Sequence, residues 1–454
     1  MTTWQKDEIE VESGERVSAQ MPVIVSASRS TDIPAFYSDW FVERFNGGNG
    51  YVKWFNPFNN VPLYVGFKKT RLVVFWSKNP RPMLECLPNR KESPLDVIDS
   101  SGRNYYFQFT LNDYDAEKIE PRVPPVEERI ETFKRLAKRL GRDRVVWRFD
   151  PLILSDSLTV AKLLEKVERL GDRIAESTSR LVFSFIDIAA YKKVAANLER
   201  GGIKAREFLP GEMNEIAARI GALAKGWGIA AGTCGEFKDL ERFGIEHNRC
   251  IDDRLIVKCF SHDAELMKFV GARFVSGNPL FGVPDRWEPG DYRKDKGQRE
   301  ACGCIMSKDI GEYNTCPHLC HYCYANANNA AAMANWKQHL AYPHAETITG
   351  SWSNPRSASR RSTCVNRRSV SSAKSSSISK TLAAATIKPP TAVASRLSMF
   401  GLQRGSESGS HKTRAFSDCR EVCLFCRAFW YNYAVCAMGT GLNEVAHETW
   451  MSRR

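Results

Sequence analysis

The strongest constraint on the fold is an alternation, along residues 21–290, of short apolar segments with longer amphipathic ones. The short segments are rich in β-branched and aromatic residues and end in polar ones, which is typical of buried strands. The predicted strands are 23–28, 51–56, 71–78, 105–111, 144–150, 181–187 and 228–234, with an eighth at 272–277. The predicted helices are 35–46, 125–140, 158–177, 188–200 and 212–226. This alternation predicts an α/β fold with a mainly parallel sheet flanked by helices.

Seven or eight strand–helix units favour a (β/α) barrel, TIM-like or partial, over an open doubly wound sheet. The pattern alone does not decide whether the barrel closes. In this interpretation residues 1–20 are an N-terminal extension and 21–300 form the barrel. Residues 301–350 form a cysteine-rich segment, and 351–454 form a low-complexity basic tail.

Most of the net charge belongs to the tail. Of the formal +13, +11 falls within residues 351–454 and only +2 within residues 1–350. Residues 351–380 contain 12 serines and few large apolar side chains, so they are predicted to be disordered. The basic charge therefore argues only weakly for a nucleic-acid partner. We leave open whether the tail is an aberrant or read-through extension or an appended module.

The amino terminus shows no export signal. Residues 1–16 are charged throughout and lack the apolar stretch of a secretory signal. No apolar run approaches the roughly 18 residues that cross a bilayer. These features predict a cytoplasmic protein with no membrane partner. In the reducing cytosol, clustered cysteines are more often metal ligands or redox groups than disulfides.

Polar residues close or follow nearly every predicted strand. They are Arg29, Asp32, Asn56, Lys78, Asn79, Gln108, Asn112, Arg148, Asp150, Ser184, Asp187, Cys234 and Glu236. In a barrel these positions meet at the carboxyl-terminal rim, where active sites lie. Ordinary loop polarity is the alternative to a lined cavity.

Two charged pairs at the rim are candidate site residues. Arg148 and Asp150 are two apart on one predicted strand and so share a face. An inward-facing arginine can hold a carboxylate or ribose, but the pair could equally be a structural ion pair. Arg29 and Asp32 present the same ambiguity.

The decisive motif is a cysteine run in the cysteine-rich segment. Cys316, Cys320 and Cys323 form C-x3-C-x2-C, with Tyr322 directly before the last cysteine. Three close thiolates are ligands for an iron–sulfur cluster, and three is one short of the four that saturate a [4Fe–4S] cluster. A structural zinc site is the alternative. Its fourth ligand would be His318, His321, Cys302 or Cys304.

Other cysteines allow a second site. Cys234 ends a predicted strand, Cys250 follows at a distance, and Cys302 and Cys304 form C-x-C. If the barrel brings them together, they could bind a second cluster or zinc; otherwise Cys234 and Cys250 are small buried residues.

Other cysteines lie outside these two sets. Cys86 and Cys259 lie in hydrophobic segments and are predicted to be core residues. The tail repeats the C-x3-C-x2-C spacing at Cys419, Cys423 and Cys426, without the flanking residues of the first motif.

The C-x3-C-x2-C run with an aromatic before its third cysteine resembles the signature of the radical S-adenosylmethionine (radical SAM) superfamily. The resemblance implies that Cys316, Cys320 and Cys323 hold a [4Fe–4S] cluster whose fourth iron binds SAM. In the enzyme hypothesis the rim residues bind SAM and substrate, with Tyr322, Arg29 and Asp32 as candidate cofactor-binding residues and Arg148 and Asp150 as candidate catalytic residues. An electron donor such as a flavodoxin or ferredoxin is expected. Spore photoproduct lyase has a similar run, so a nucleic-acid substrate is conceivable.

Two features depart from that superfamily. The motif follows all the strands instead of the first one, which requires a circularly permuted arrangement. No Gly-Gly-Glu sequence ends a strand, since Gly47-Gly48-Asn49 precedes one. SAM binding is therefore a weaker expectation than cluster binding.

A closer resemblance is carried by VSASRSTDIPAFY (25–37), VFWSKNPRPML (74–84), RVVWRFDPLI (144–153), CIDDRLI (250–256) and KDIGEYNTCPHLCHYCYAN (308–326). Together they resemble a prokaryotic family catalogued as domain of unknown function eighteen forty-eight, over roughly residues 21–350. The resemblance implies a radical-SAM-like cysteine cluster near the carboxyl terminus but no substrate. The enzyme is one hypothesis; a non-catalytic metal-binding barrel that acts as a sensor or binding module is the other.

Overall fold

The structure is a computed structural model that describes residues 4–55, 61–86 and 91–350. The tail, with Cys419, Cys423 and Cys426, and the rim candidate Asn56 lie outside the described residues. Within the described ranges no helix is both long and apolar enough to span a membrane.

The strands in chain order are β1 (Lys6–Glu10), β2 (Arg16–Gln20), β3 (Ile24–Ala27), β4 (Tyr51–Phe55), β5 (Pro62–Gly66), β6 (Leu72–Ser77), β7 (Asn104–Thr110), β8 (Val145–Leu152), β9 (Leu154–Ser155), β10 (Arg180–Phe185), β11 (Ala205–Arg206), β12 (Ala230–Thr233), β13 (Ile245–His247), β14 (Arg273–Val275), β15 (Arg286–Glu288) and β16 (Lys308–Asp309).

The α-helices are α1 (Ile33–Phe36), α2 (Ser38–Phe45), α3 (Arg81–Leu84), α4 (Pro94–Ser100), α5 (Val126–Leu140), α6 (Val160–Ile174), α7 (Lys192–Arg200), α8 (Pro210–Trp227), α9 (Asp253–Phe260), α10 (Ala264–Val270) and α11 (Asn329–Ala341).

An eight-stranded sheet organises the molecule. Its order is β13-β12-β10-β8-β7-β6-β3-β16, and every neighbouring pair is parallel. Apart from β16, the strands follow one another in chain order, which confirms the predicted α/β class with a large parallel sheet. The predicted barrel is not closed, because β13 and β16 are the two ends of the order and no ladder joins them in the described residues.

The predicted strands 51–56 and 272–277 do not belong to this sheet. β4 pairs with β5 in a four-stranded sheet whose other members are β1 and β2, from the N-terminal twenty residues. β14 pairs with β15 in a two-stranded ribbon. Both segments have strand composition, but composition does not specify the partner.

Both faces of the large sheet are buried. On β7, Tyr105, Phe107 and Phe109 contribute to one hydrophobic cluster, which α5, α6 and α8 cover. Tyr106 points to the other face and packs with residues of α9 and α10. Side chains alternate between faces along a strand, so a strand buried on both faces reads as a continuous apolar run. That run is the signal that located these strands.

The cysteine-rich segment contributes a strand to the sheet. β16 pairs with β3, and the Ile305 backbone N–H donates to the Ile251 carbonyl at 3.1 Å. The segment therefore spans the gap between the two ends of the sheet with irregular backbone instead of a ladder.

Candidate functional site

Asp309 fixes the cysteine-rich segment to the carboxyl end of β3. Its carboxylate accepts hydrogen bonds from the Ser26 hydroxyl (2.9 Å), the Ser28 hydroxyl (2.7 Å), and the backbone N–H groups of Arg29 (2.9 Å) and Gly311 (3.0 Å). A Cβ at Gly311 would lie 1.9 Å from the Ser28 hydroxyl oxygen, so only glycine permits this approach. The segment that follows Asp309 therefore begins at the carboxyl-terminal rim of the sheet.

The motif cysteines follow in a loop that neighbouring side chains hold in place. The Tyr37 hydroxyl donates to the Thr315 carbonyl at 2.5 Å. The Asn326 side-chain amide donates to the Cys316 carbonyl (2.8 Å), and that of Asn197 donates to the Cys323 carbonyl (2.7 Å). These contacts place the loop over the carboxyl end of the sheet.

Of Cys316, Cys320 and Cys323, which we call the three-thiol group, Cys320 is buried and the other two are partly buried. Burial raises the pKa of the Cys320 thiol, and the charges of Cys316 and Cys323 raise it further, while Lys78 acts in the opposite direction. Burial likewise raises the pKa of Cys316 to about 12. Charge interactions of this kind require proximity. The three thiols are therefore close enough to interact electrostatically.

An ionised network lies beside the three-thiol group. Glu120 Oε1 accepts from Lys78 Nζ (2.8 Å), from the Asn112 side-chain amide (2.9 Å) and from the Tyr322 hydroxyl. Its Oε2 lies 3.6 Å from Arg129 Nη1. Although burial raises the pKa of Glu120, Lys78 and Arg129 together lower it to about 2. The carboxylate is therefore charged and holds Lys78 and Tyr322 in position.

Asp32 supports the loop. Its carboxylate accepts from the backbone N–H of Ala35 (3.0 Å), from that of Lys78 (2.7 Å), and bonds His318 Nε2 at 2.8 Å. The other ring nitrogen of His318 lies 3.3 Å from the Arg122 carbonyl. Both nitrogens of His318 are thus engaged, which makes this histidine a poor candidate for a zinc ligand.

Arg29 and Arg148 flank the Trp76 ring within the sheet. Their guanidinium carbons lie 5.0 and 5.2 Å from the centre of that ring. Arg148 also bonds Asp150, and its Nη1 donates to the Gln108 side-chain oxygen at 3.2 Å. The Arg148 side chain is only 3% exposed, whereas that of Asp150 is 22% exposed and bonds the Ser184 hydroxyl. Asp150 therefore faces the rim, and Arg148 supports it from inside.

A comparison with known families identifies the chain. The family described as Domain of unknown function (DUF1848) matches residues 24–325. The chain belongs to this family. The DUF1848 match covers the large sheet, the described rim residues and all three cysteines of the three-thiol group.

The comparisons with curated proteins and with solved structures are less informative about this chain. No curated protein matches the chain. A crystal structure from Bacteroides thetaiotaomicron VPI-5482, named a "putative alpha-L-fucosidase", is similar to this chain at 12% sequence identity and a TM-score of 0.20. The alignment covers 48% of this chain and 77% of that chain.

The DUF1848 region also contains a second cysteine group. Cys234 follows β12, Cys250 follows β13, and Cys302 and Cys304 precede β16; we call these four residues the four-thiol group. The Cys250 and Cys234 sulfurs are 3.3 Å apart. The Cys304 sulfur accepts from the backbone N–H of Ile251, the residue next to Cys250, at 3.4 Å. The fold thus brings together four cysteines that 70 positions of sequence separate.

Neither group has its sulfurs arranged around a single point. In the described residues, no group of three or more His, Cys, Asp or Glu side chains stands ready to hold one metal ion. In the four-thiol group, the sulfurs of Cys234 and Cys250 are in contact, and Cys304 is joined to the Cys250 segment through the backbone N–H of Ile251.

Two structural residues were absent from the sequence prediction. Glu120 lies in a loop without a motif around it, and Asp309 lies in the family run 308–326 but outside its cysteine spacing, so only their tertiary partners reveal their roles. Cys86 was predicted to be a core residue and this is wrong, since it is exposed, with its thiol 3.5 Å from the Lys91 carbonyl oxygen. Cys259 is partly buried against the second hydrophobic cluster.

Proposed function

We propose that this chain is a radical SAM-type enzyme that binds a [4Fe–4S] cluster through Cys316, Cys320 and Cys323. One observation supports the proposal: Asp309 fixes the segment that carries the C-x3-C-x2-C motif to the carboxyl end of the parallel strand β3, the edge of the sheet where α/β enzymes place their chemistry. Such a cluster, when bound and reduced, would supply the one electron that cleaves SAM into methionine and a 5′-deoxyadenosyl radical.

The donor set fits this cofactor. Three thiolates leave one iron of the cluster without a protein sulfur, as SAM binding requires. The Asn326 side-chain oxygen is buried without a hydrogen-bond partner, and the backbone N–H of the same residue donates to the Cys323 sulfur at 3.3 Å. An unpaired buried acceptor beside the cysteines fits a ligand that carries an N–H group.

The rim supplies charges for the amino-acid part of SAM. A zwitterion needs one cation and one anion, and Lys78 and Asp150 are both partly exposed, by 17% and 22% of their side chains. We assign Lys78 to the SAM carboxylate and Asp150 to its ammonium group. Tyr322 positions Lys78, because its hydroxyl accepts from Lys78 Nζ at 2.6 Å. Asp32 and Arg29 act through the loop contacts they make, and Arg148 through Asp150.

Anaerobic reconstitution of the full chain with iron and sulfide tests the proposal. We expect a [4Fe–4S] absorption and electron paramagnetic resonance spectrum that shifts on addition of SAM. Reduction by dithionite, or by a flavodoxin or ferredoxin, should then release 5′-deoxyadenosine. The exposed Cys86 offers the matched control, since Cys86→Ser should behave like the wild type. A chain that binds only zinc at Cys316, Cys320 and Cys323, with no response to SAM, would overturn the proposal and leave a non-catalytic metal-binding module.

A further inference from the structure

We infer that Cys234, Cys250, Cys302 and Cys304 form a tetrathiolate zinc site that joins the two ends of the open sheet. The first observation is convergence. The four cysteines come from three separate segments, yet the Cys250 sulfur lies 3.3 Å from that of Cys234, and the Cys304 sulfur accepts from the backbone N–H of Ile251, the residue next to Cys250. Cysteines placed in a core by hydrophobicity alone have no reason to gather in this way.

The second observation is the set of donors directed at the sulfurs. Arg148 Nη1 lies 3.0 Å from the Cys250 sulfur, and the Asn248 side-chain amide donates to the same sulfur at 3.3 Å. The backbone N–H of Ile251 donates to the Cys304 sulfur at 3.4 Å. N–H donors stabilise thiolates, and partners of this kind orient the ligands of metal sites.

Charge balance supports the same assignment. Four thiolates and one Zn²⁺ carry a net charge of −2, which two cations can offset. Arg148 bonds Cys250, and Arg29 interacts electrostatically with Cys304. Binding converts four thiols and Zn²⁺ into a tetrathiolate complex and four protons, which pass to solvent.

The backbone around the C-x-C sequence is shaped for close approach. A Cβ at Gly303 would lie 3.0 Å from the Asn248 carbonyl oxygen, which is tighter than most real contacts. The Asp295 backbone N–H donates to the Cys304 carbonyl at 2.8 Å and holds the turn from the other side. The segment is therefore pressed against the residues that follow β13.

Sulfur spacing favours a single ion over a second iron–sulfur cluster. With Zn–S bonds of about 2.3 Å, tetrahedral geometry separates sulfurs by about 3.8 Å. The 3.3 Å separation of the Cys234 and Cys250 sulfurs needs to widen by only about half an ångström to reach this value. A four-iron cluster places a cube of iron and sulfide between the thiolates and requires far more space.

The position of the site gives it a structural role. Cys234 and Cys250 belong to the β12–β13 end of the sheet, and Cys302 and Cys304 lead into β16 at the other end. No ladder joins these ends in the described part of the chain. A zinc bound between them holds the sheet closed where backbone hydrogen bonds do not.

Metal analysis of the full-length protein tests the inference. Purified without added metal, the wild type should contain stoichiometric zinc by mass spectrometry, and Cys250→Ser with Cys304→Ser should lose it. Cys259→Ser is the matched control for losing a partly buried thiol, and Cys320→Ser tests independence from the three-thiol group. Both should keep zinc, so this result stands whether or not the cluster proposal holds.

Measurements on the wild type keep the inference testable if the double variant does not fold. Cobalt substitution should give tetrahedral d–d bands and thiolate-to-cobalt charge transfer. Alkylation mapped by mass spectrometry should label the four cysteines only after chelation. A Cys234–Cys250 disulfide, iron and sulfide at these four residues, or full alkylation without a chelator would each overturn the inference.

Discussion

The two cysteine groups of this protein are built in opposite ways. The three-thiol group comes from a single loop of eight residues and lies beside the charged Lys78–Glu120 pair at the rim. The four-thiol group comes from three segments and lies among Arg148, Asn248 and backbone donors. The difference shows that spacing in sequence reports local metal motifs only, whereas convergent sites depend on how the sheet is assembled.

Reciprocal cysteine variants give the largest expected effect on this comparison. Cys320→Ser should abolish cluster assembly and 5′-deoxyadenosine formation, because Cys320 is the central one of the three proposed cluster ligands. The variant should keep the zinc content of the wild type. Cys250→Ser should remove zinc. Iron, zinc and 5′-deoxyadenosine measured on the same preparations check both. Loss of both metals in both variants would mean that the groups form one cooperative site.

The second largest effect is expected from Glu120→Gln, which should lower the free energy of unfolding. The substitution removes the charge that compensates buried Lys78 and Arg129, and breaking a buried ion pair costs about 3–5 kcal/mol of unfolding free energy. Tyr322→Phe removes only one hydroxyl from the same network, at about 1 kcal/mol. Urea denaturation of the two variants measures both values. Zinc content should not change, since no contact of Glu120 involves a residue of the four-thiol group. Equal costs for both variants would contradict the ionised network.

Gly303→Ala should have a smaller effect that is specific to the four-thiol group. The added methyl must displace the Asn248 carbonyl, and overpacking costs about 1–3 kcal/mol. We expect a lower melting temperature together with faster zinc release to a chelator. Gly211→Ala, whose Cβ meets nothing within 4 Å, is the matched control. Zinc release at the wild-type rate would show that a methyl group fits at Gly303 without disturbing the four-thiol group, against this prediction.

The smallest expected effect is a pH dependence near the three-thiol group. Burial raises the pKa of Glu312 from 4.5 to about 7. The folded state therefore keeps a proton that the unfolded state loses, and stability falls as pH rises from about 4.5 to about 7. Glu312→Gln should flatten the unfolding free energy across this window, whereas Glu165→Gln, at an exposed position of α6, should not. Denaturation at several pH values measures this dependence. A Glu312→Gln variant whose unfolding free energy changes with pH as steeply as that of the wild type would contradict the prediction.

Much of the fold could be predicted because its strands are buried on both faces. Six of the predicted strands, from 23–28 to 228–234 without 51–56, lie in the large sheet close to the expected positions. β13 and β16 were missed because they have only three and two residues, too few for a periodic pattern. The same limit hid Asp309, whose importance lies in four hydrogen bonds to β3 and its surroundings.

The sequence by itself determined the α/β class, the family and the C-x3-C-x2-C loop, because strand burial and short-range spacing are local properties of the chain. Only the tertiary structure decided that the sheet stays open between β13 and β16, that Asp32 and His318 pair, and that Cys234, Cys250, Cys302 and Cys304 meet. These outcomes depend on which distant segments pack together. Such choices follow from the summed packing of the whole sheet, and no single stretch of sequence encodes them.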